Sequence, residues 1–183
     1  MKSRLSVSLS VLLLSLLVTL VPVRAEGIFS DPDQRLEASG CAYLLSVMVR
    51  ERSGVVLSEL EALMLLMMHG DSKNIIDTQG FTFYDVKRAV GVLGLRASAF
   101  RSDDLLLDLA HRSRQWRDGP YLVLMDNAEG RGRFMLYYGE DGDYVQLLDP
   151  LLHRVRIPRE AFNQSFRPYV LIIEGMSSDF SEL

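Results

Sequence analysis

The residues able to do chemistry in this 183-residue chain are few. There is one cysteine, Cys41, in the run Gly40-Cys41-Ala42-Tyr43-Leu44-Leu45, and there are three histidines, His69, His111 and His153. A lone thiol cannot close an internal disulfide, so Cys41 is a buried small hydrophobe, a reactive nucleophile, or a partner for a thiol on another molecule. A nucleophilic thiolate needs a base and a carboxylate that orients the base, and the fold brings these together from distant parts of the chain. Asp149, at the end of an apolar run and before Pro150, is the best placed carboxylate, and His153 follows it in the same turn. Met64, Met67, Met68 and His69 offer soft ligands at helical spacing, but such a stripe reads first as core packing, and no metal or other cofactor is expected. The chain has no Gly-rich phosphate loop, no Cys-x-x-Cys and no His-Glu-x-x-His.

The elements that must hold these residues follow from periodicity. Ser39 is expected to cap a buried helix over about Gly40 to Arg52, which would set Cys41 at a helix N-terminus, where orphan N–H groups favour a thiolate. Ser58 and Glu61 form a Ser-x-x-Glu capping box for a second helix ending at Gly70. Thr82 and Asp85 do the same for a third that stops at Gly94. Ser102-Asp103-Asp104 opens a fourth, carrying Leu105, Leu106 and Leu109. From Tyr121 the period becomes strand-like, with Tyr121 to Met125, Arg133 to Tyr138, Tyr144 to Leu148 and Tyr169 to Ile173 as short strands separated by Gly-rich turns. Helices followed by an antiparallel sheet make an α+β domain with the cysteine helix as its central packing element.

The N-terminus reads as an address. Lys2 and Arg4 precede an apolar stretch from Val11 to Val21, and Val23-Arg24-Ala25 is a small-x-small cleavage signal. The stretch is shorter than the roughly 20 apolar residues of a membrane span. Residues 1–25 are therefore expected to be a signal peptide, residues 26–176 the domain, and residues 177–183 an acidic tail. That predicts a periplasmic or secreted protein of roughly 160 residues, enough for one core. The formal net charge is −4 and the three basic residues of the N-terminal segment would leave with it. No polybasic patch with interleaved aromatics remains to bind nucleic acid or an anionic membrane.

Taken in order, several segments form a known pattern. They are Gly40-Cys41-Ala42, then residues 80–88 (Gly-Phe-Thr-Phe-Tyr-Asp-Val-Lys-Arg), Leu93-Gly94-Leu95-Arg96-Ala97, Gly119-Pro120-Tyr121-Leu122-Val123-Leu124, Arg133-Phe134-Met135-Leu136 and Asp149-Pro150 before Pro158-Arg159-Glu160-Ala161-Phe162. The chain resembles, from about Arg35 to Glu174, the papain-like cysteine peptidases that process bacteriocins at double-glycine leaders, and among them the stand-alone periplasmic type found beside amyloid or pilus assembly genes. The resemblance implies a papain-like fold, Cys41 as nucleophile, and Asp149 as the carboxylate orienting a catalytic histidine. It also implies that the histidine stands where this sequence has Arg133, and that an oxyanion-hole glutamine stands where it has Arg35, with Gln34 one place further away. A guanidinium, with a pKa above about 12, cannot exchange protons near neutral pH. The expectation is thus a degenerate peptidase-like domain that binds an extended secreted polypeptide, set against an active cysteine peptidase in which His153 supplies the base.

Overall fold

The computed structural model describes residues 32–71, 75, 80–103, 105, 120–126 and 131–176, apart from the side chains of residues 32–39, 175 and 176. The expected signal peptide, the acidic tail and His111 lie outside the described residues, as does most of the fourth predicted helix, of which Leu105 alone is described, as helical. Three helices come first: α1 (Pro32–Ser53), α2 (Glu59–His69) and α3 (Phe83–Val92). Then follow β1 (Leu95–Arg101), β2 (Tyr121–Asp126), β3 (Gly132–Asp141), β4 (Tyr144–Asp149), β5 (His153–Pro158), the short helix α4 (Arg159–Ser165) and β6 (Phe166–Met176). The strands form one antiparallel sheet in the order β1-β6-β2-β3-β4-β5.

The helix boundaries are local chemistry. Ser58 Oγ accepts from the Glu61 N–H while the Glu61 carboxylate accepts from the Ser58 N–H at 2.8 Å, and Thr82 and Asp85 make the same reciprocal pair. Each box satisfies two N–H groups that a helix start otherwise leaves open. Gly94, at φ 72, takes the left-handed conformation that ends α3. Apolar side chains nearly all round α1 bury it: Ala42, Leu44, Leu45, Val47, Met48 and Val49 are all inaccessible or nearly so. It packs on β2, β3 and β6 and against α2. Each of the valine, leucine and methionine side chains contributes roughly 1.5–3 kcal/mol by burial.

Strand alternation divides the rest of the core between two faces. Tyr121, Val123, Met125, Tyr137, Val145, Leu147, Val170 and Ile172 gather around Phe162 of α4. The residues of opposite parity turn to the helices: Phe134 meets Phe83 of α3 edge to face at 4.9 Å, and the Tyr138 hydroxyl donates to Glu51 of α1 at 2.9 Å. No helix of the described residues is long and apolar enough to cross a membrane.

Two readings of the sequence need correction. The cysteine helix starts at Pro32, not at Gly40. β1 and β5 are strands additional to the four expected. The methionine stripe is not core: Met64 and Met68 are 52% and 71% exposed, in line with Leu60, because Ala62 and Leu66 supply the buried face of α2.

Candidate active site

Cys41 lies on the buried body of α1, 5% exposed, and about two and a half turns past the start of the helix. The stabilising field of a helix N-terminus fades within its first turn, so it does not reach this sulfur. Two things act on the thiol instead. Burial removes the water that would solvate a thiolate, and the nearby Asp85 carboxylate repels one; together they push the Cys41 pKa from 9.0 up to about 12. The expectation of an activated thiol at a helix end is therefore reversed in direction. Arg133 is not among the charges that act on it.

Asp85 is fully buried and satisfied by neutral donors. Its Oδ1 accepts from the Asp71 N–H at 2.8 Å, and its Oδ2 accepts from the Thr82 N–H and Oγ1, each at 2.7 Å. It caps α3 and ties the segment after α2 to that cap. Sequence reasoning found the cap and missed its second consequence, a buried negative charge beside the only thiol. No sequence signal links residues 41 and 85; only the tertiary fold does, in which α1 and α3 each pack on α2.

The second half of the site is at one end of the sheet. Asp149 closes β4, 1% exposed, and its Oδ1 accepts from the Leu151 and Leu152 N–H groups at 2.7 and 3.0 Å, which shapes the turn into β5. Its Oδ2 accepts from Arg133 Nη1 at 3.0 Å. The alternation of β3 and β4 places Arg133 with Met135 and Asp149 with Leu147, on the same face of the sheet, so the pair forms without strain. Arg133 and Asp149 thus meet, and guanidinium and carboxylate satisfy each other. A carboxylate held in this way has no free oxygen directed at an imidazole.

The turn also reaches α1. A Cβ added to Gly40 would lie 3.0 Å from Pro150 Cβ and Cγ, so the residue before Cys41 and the residue after Asp149 are in close approach. Glycine at position 40 permits this contact. One helical turn along, Tyr43 packs edge to face on His153 with ring centroids 6.2 Å apart. His153 is exposed, holds φ 60, and pairs with Asp149 across the β4–β5 turn. Of the sequence-selected residues, the structure brings Arg133 to Asp149 and sets the Asp149–Pro150 turn and His153 against the Gly40–Tyr43 face of α1. His69 ends α2 beside its Gly70 cap. Gln34 and Arg35 lie in α1, and their side chains are outside the described residues.

No protein-family model matches the chain. It is 27% identical over 147 residues to a protein of Pseudomonas aeruginosa named "Probable functional amyloid protease FapD", the match covering 80% of this chain and 61% of the relative. The protein of the same name in Pseudomonas fluorescens is 24% identical over 148 residues, with the same coverage. The chain therefore spans about three-fifths of the length of these curated relatives. Among solved structures it is similar to a double-glycine-motif protease from an AMS/PCAT transporter in complex with its leader peptide (TM-score 0.54, 21% identity, 75% of this chain and 84% of that one). It is likewise similar to the peptidase domain of the Streptococcus transporter ComA (TM-score 0.58, 16% identity, 76% and 91%). At these identities the structural likeness shows the fold: helices packed on a six-stranded antiparallel sheet, the α+β architecture of papain-like double-glycine peptidase domains.

Proposed function

We propose that this chain is a peptidase-like domain that has kept the double-glycine peptidase fold and holds an extended secreted polypeptide without cutting it. The observation that carries the reading is the Arg133–Asp149 ion pair, which occupies the carboxylate that an imidazole base would need. The state of Cys41 supports it, since a thiol with a pKa near 12 is protonated at any physiological pH and attacks a carbonyl poorly. Loss of a general base alone removes about 10²–10⁴-fold in rate. The names of the curated relatives give the direction for the partner: a fibre-forming polypeptide, met in the periplasm or outside the cell after the signal peptide is removed. The test is to incubate the purified protein with unfolded secreted polypeptides encoded near its own gene. Binding without cleavage is the expected result, and cleavage that disappears in Cys41→Ala overturns the proposal.

One observation favours a second reading, an active cysteine peptidase. His153 is the strand-register partner of Asp149, so its backbone stands opposite that of Asp149, and its ring packs on Tyr43 of the cysteine helix. If it serves as base, turnover is measurable in the unmodified protein and lost in His153→Ala.

A further inference from the structure

β5 is the outermost strand of the sheet among the described residues, and its sequence His153-Arg154-Val155-Arg156-Ile157-Pro158 alternates strictly. Val155 and Ile157 pack against the core around Phe162, so Arg154 and Arg156 stand on the opposite face, the one that carries α1. Because α1 packs on β6, β2 and β3, the face of β4 and β5 is left with a pocket of about 240 Å³. Tyr138, Gln146, Leu147, Arg154, Val155 and Arg156 line it. None of Cys41, Arg133 and Asp149 does.

The two arginines are held in place. The Arg154 guanidinium lies 5.2 Å from the centroid of the Tyr138 ring, which is itself fixed by its bond to Glu51. That of Arg156 lies 4.9 Å from the Tyr144 centroid. A cation on an aromatic face gives up little entropy when it binds, and guanidinium offers a carboxylate two parallel donors. Arg154 forms no ion pair among the described residues. Arg156 bonds to Asp141 at 2.8 Å, both more than half exposed, a surface pair that a better placed carboxylate displaces at little cost. Charged residues on an edge strand often serve only to keep edges from pairing. Such guards are free in solvent, whereas these lie on tyrosine rings at the rim of a pocket.

The spacing selects the ligand. Arg154 and Arg156 are two residues apart on a strand, roughly 6.6–6.8 Å, and a strand added to the edge repeats at the same interval, with opposed Cβ atoms about 4.5–5.5 Å apart. We propose that the β5 edge, with Arg154, Arg156 and Gln146 at its pocket, binds an extended polypeptide as a seventh strand and selects one with acidic side chains at alternate positions. The inference rests on the reading above, in which the domain holds an extended polypeptide, and it assigns where that polypeptide lies and what its sequence carries.

Fluorescence anisotropy with the full chain tests it, using three labelled ten-residue probes. In the first, glutamates alternate with threonines; in the second, the same residues are arranged with the glutamates contiguous; in the third, glutamine replaces glutamate in the alternating order. The alternating acidic probe is expected to bind about tenfold more tightly than the other two, to weaken with added salt, and to lose about tenfold in the Arg154→Gln/Arg156→Gln double variant. Arg101→Gln, on the opposite edge strand and paired with Asp103, is expected to change nothing. Equal affinity for the three probes, absence of binding, or full binding by the double variant overturns the assignment. Binding that survives in the double variant leaves the holding function standing. Cys41-dependent cleavage of a probe contradicts that function instead, and the edge assignment is then read from the same titrations in Cys41→Ala.

Discussion

Asp85 and Asp149 are both carboxylates sealed from solvent, and both accept bonds from backbone N–H groups, yet they do different things. Asp85 meets only neutral donors, so its charge is solvated but not cancelled, and Cys41 feels it. Asp149 gives one oxygen to the turn and the other to Arg133, so its charge is cancelled locally. A buried carboxylate's influence therefore depends less on its burial than on whether a cation stands against it. In a papain-like site one imidazole stands between thiol and carboxylate, and as imidazolium it is the positive neighbour of both. Here the two are served differently: an anion acts on the thiol, and a guanidinium that cannot give up its proton stands on the carboxylate.

The largest expected effect is on the thiol. Because burial and Asp85 raise the Cys41 pKa from 9.0 to about 12, its alkylation by iodoacetamide at pH 8 should be on the order of 10³-fold slower than that of an unperturbed thiol. The rate should rise about tenfold per pH unit in alkali. A plateau below pH 9 would erase the contrast between the two halves of the site. The same shift has a consequence for stability. A pKa raised on folding contributes stability that is whole below pH 9 and is lost as pH climbs toward 12; Cys41→Ala should blunt that alkaline loss in a denaturant titration against pH.

Next in size is the cap. Asp85→Ala removes three hydrogen bonds to a buried carboxylate and should cost about 4 kcal/mol of unfolding free energy. Arg133→Met should cost about 2 kcal/mol, since Asp149 keeps both turn N–H bonds. If urea denaturation returns the reverse order, the neutral cap is not the stronger brace. The smallest effect belongs to His153→Ala, expected within about 0.5 kcal/mol because the ring is exposed. A loss of 2 kcal/mol or more would show that the Tyr43 contact locks the β4–β5 turn to α1.

What the sequence made legible follows the range of the forces involved. The boxes at Ser58/Glu61 and Thr82/Asp85 each span four residues, and both helices begin where their caps do. β2 and β4 carry runs rich in Leu, Val and Tyr and form as read. β1 leaves little trace in the sequence because Leu95-Arg96-Ala97-Ser98-Ala99 has no β-branched residue and owes its pairing to β6. β5 does alternate, but its arginines hide the period from a search for apolar runs; counting Val155 and Ile157 at spacing two would have found it. The start of α1 was misplaced because Ser39-Gly40 looks like a cap in isolation, yet it lies inside a helix whose glycine is needed against Pro150. The order of motifs singles out the positions of Arg133 and Asp149, while the influence of Asp85 on Cys41 depends on tertiary packing that no local pattern records.

The most direct measurement is a parallel time course of the unmodified protein and Cys41→Ala with an unfolded secreted polypeptide, following binding and fragment formation in the same samples. Equal binding by both proteins and no fragments from either are expected. Fragments from the unmodified protein alone would contradict it, and would mean that the thiol finds a base despite Asp85 beside it and Arg133 on the carboxylate.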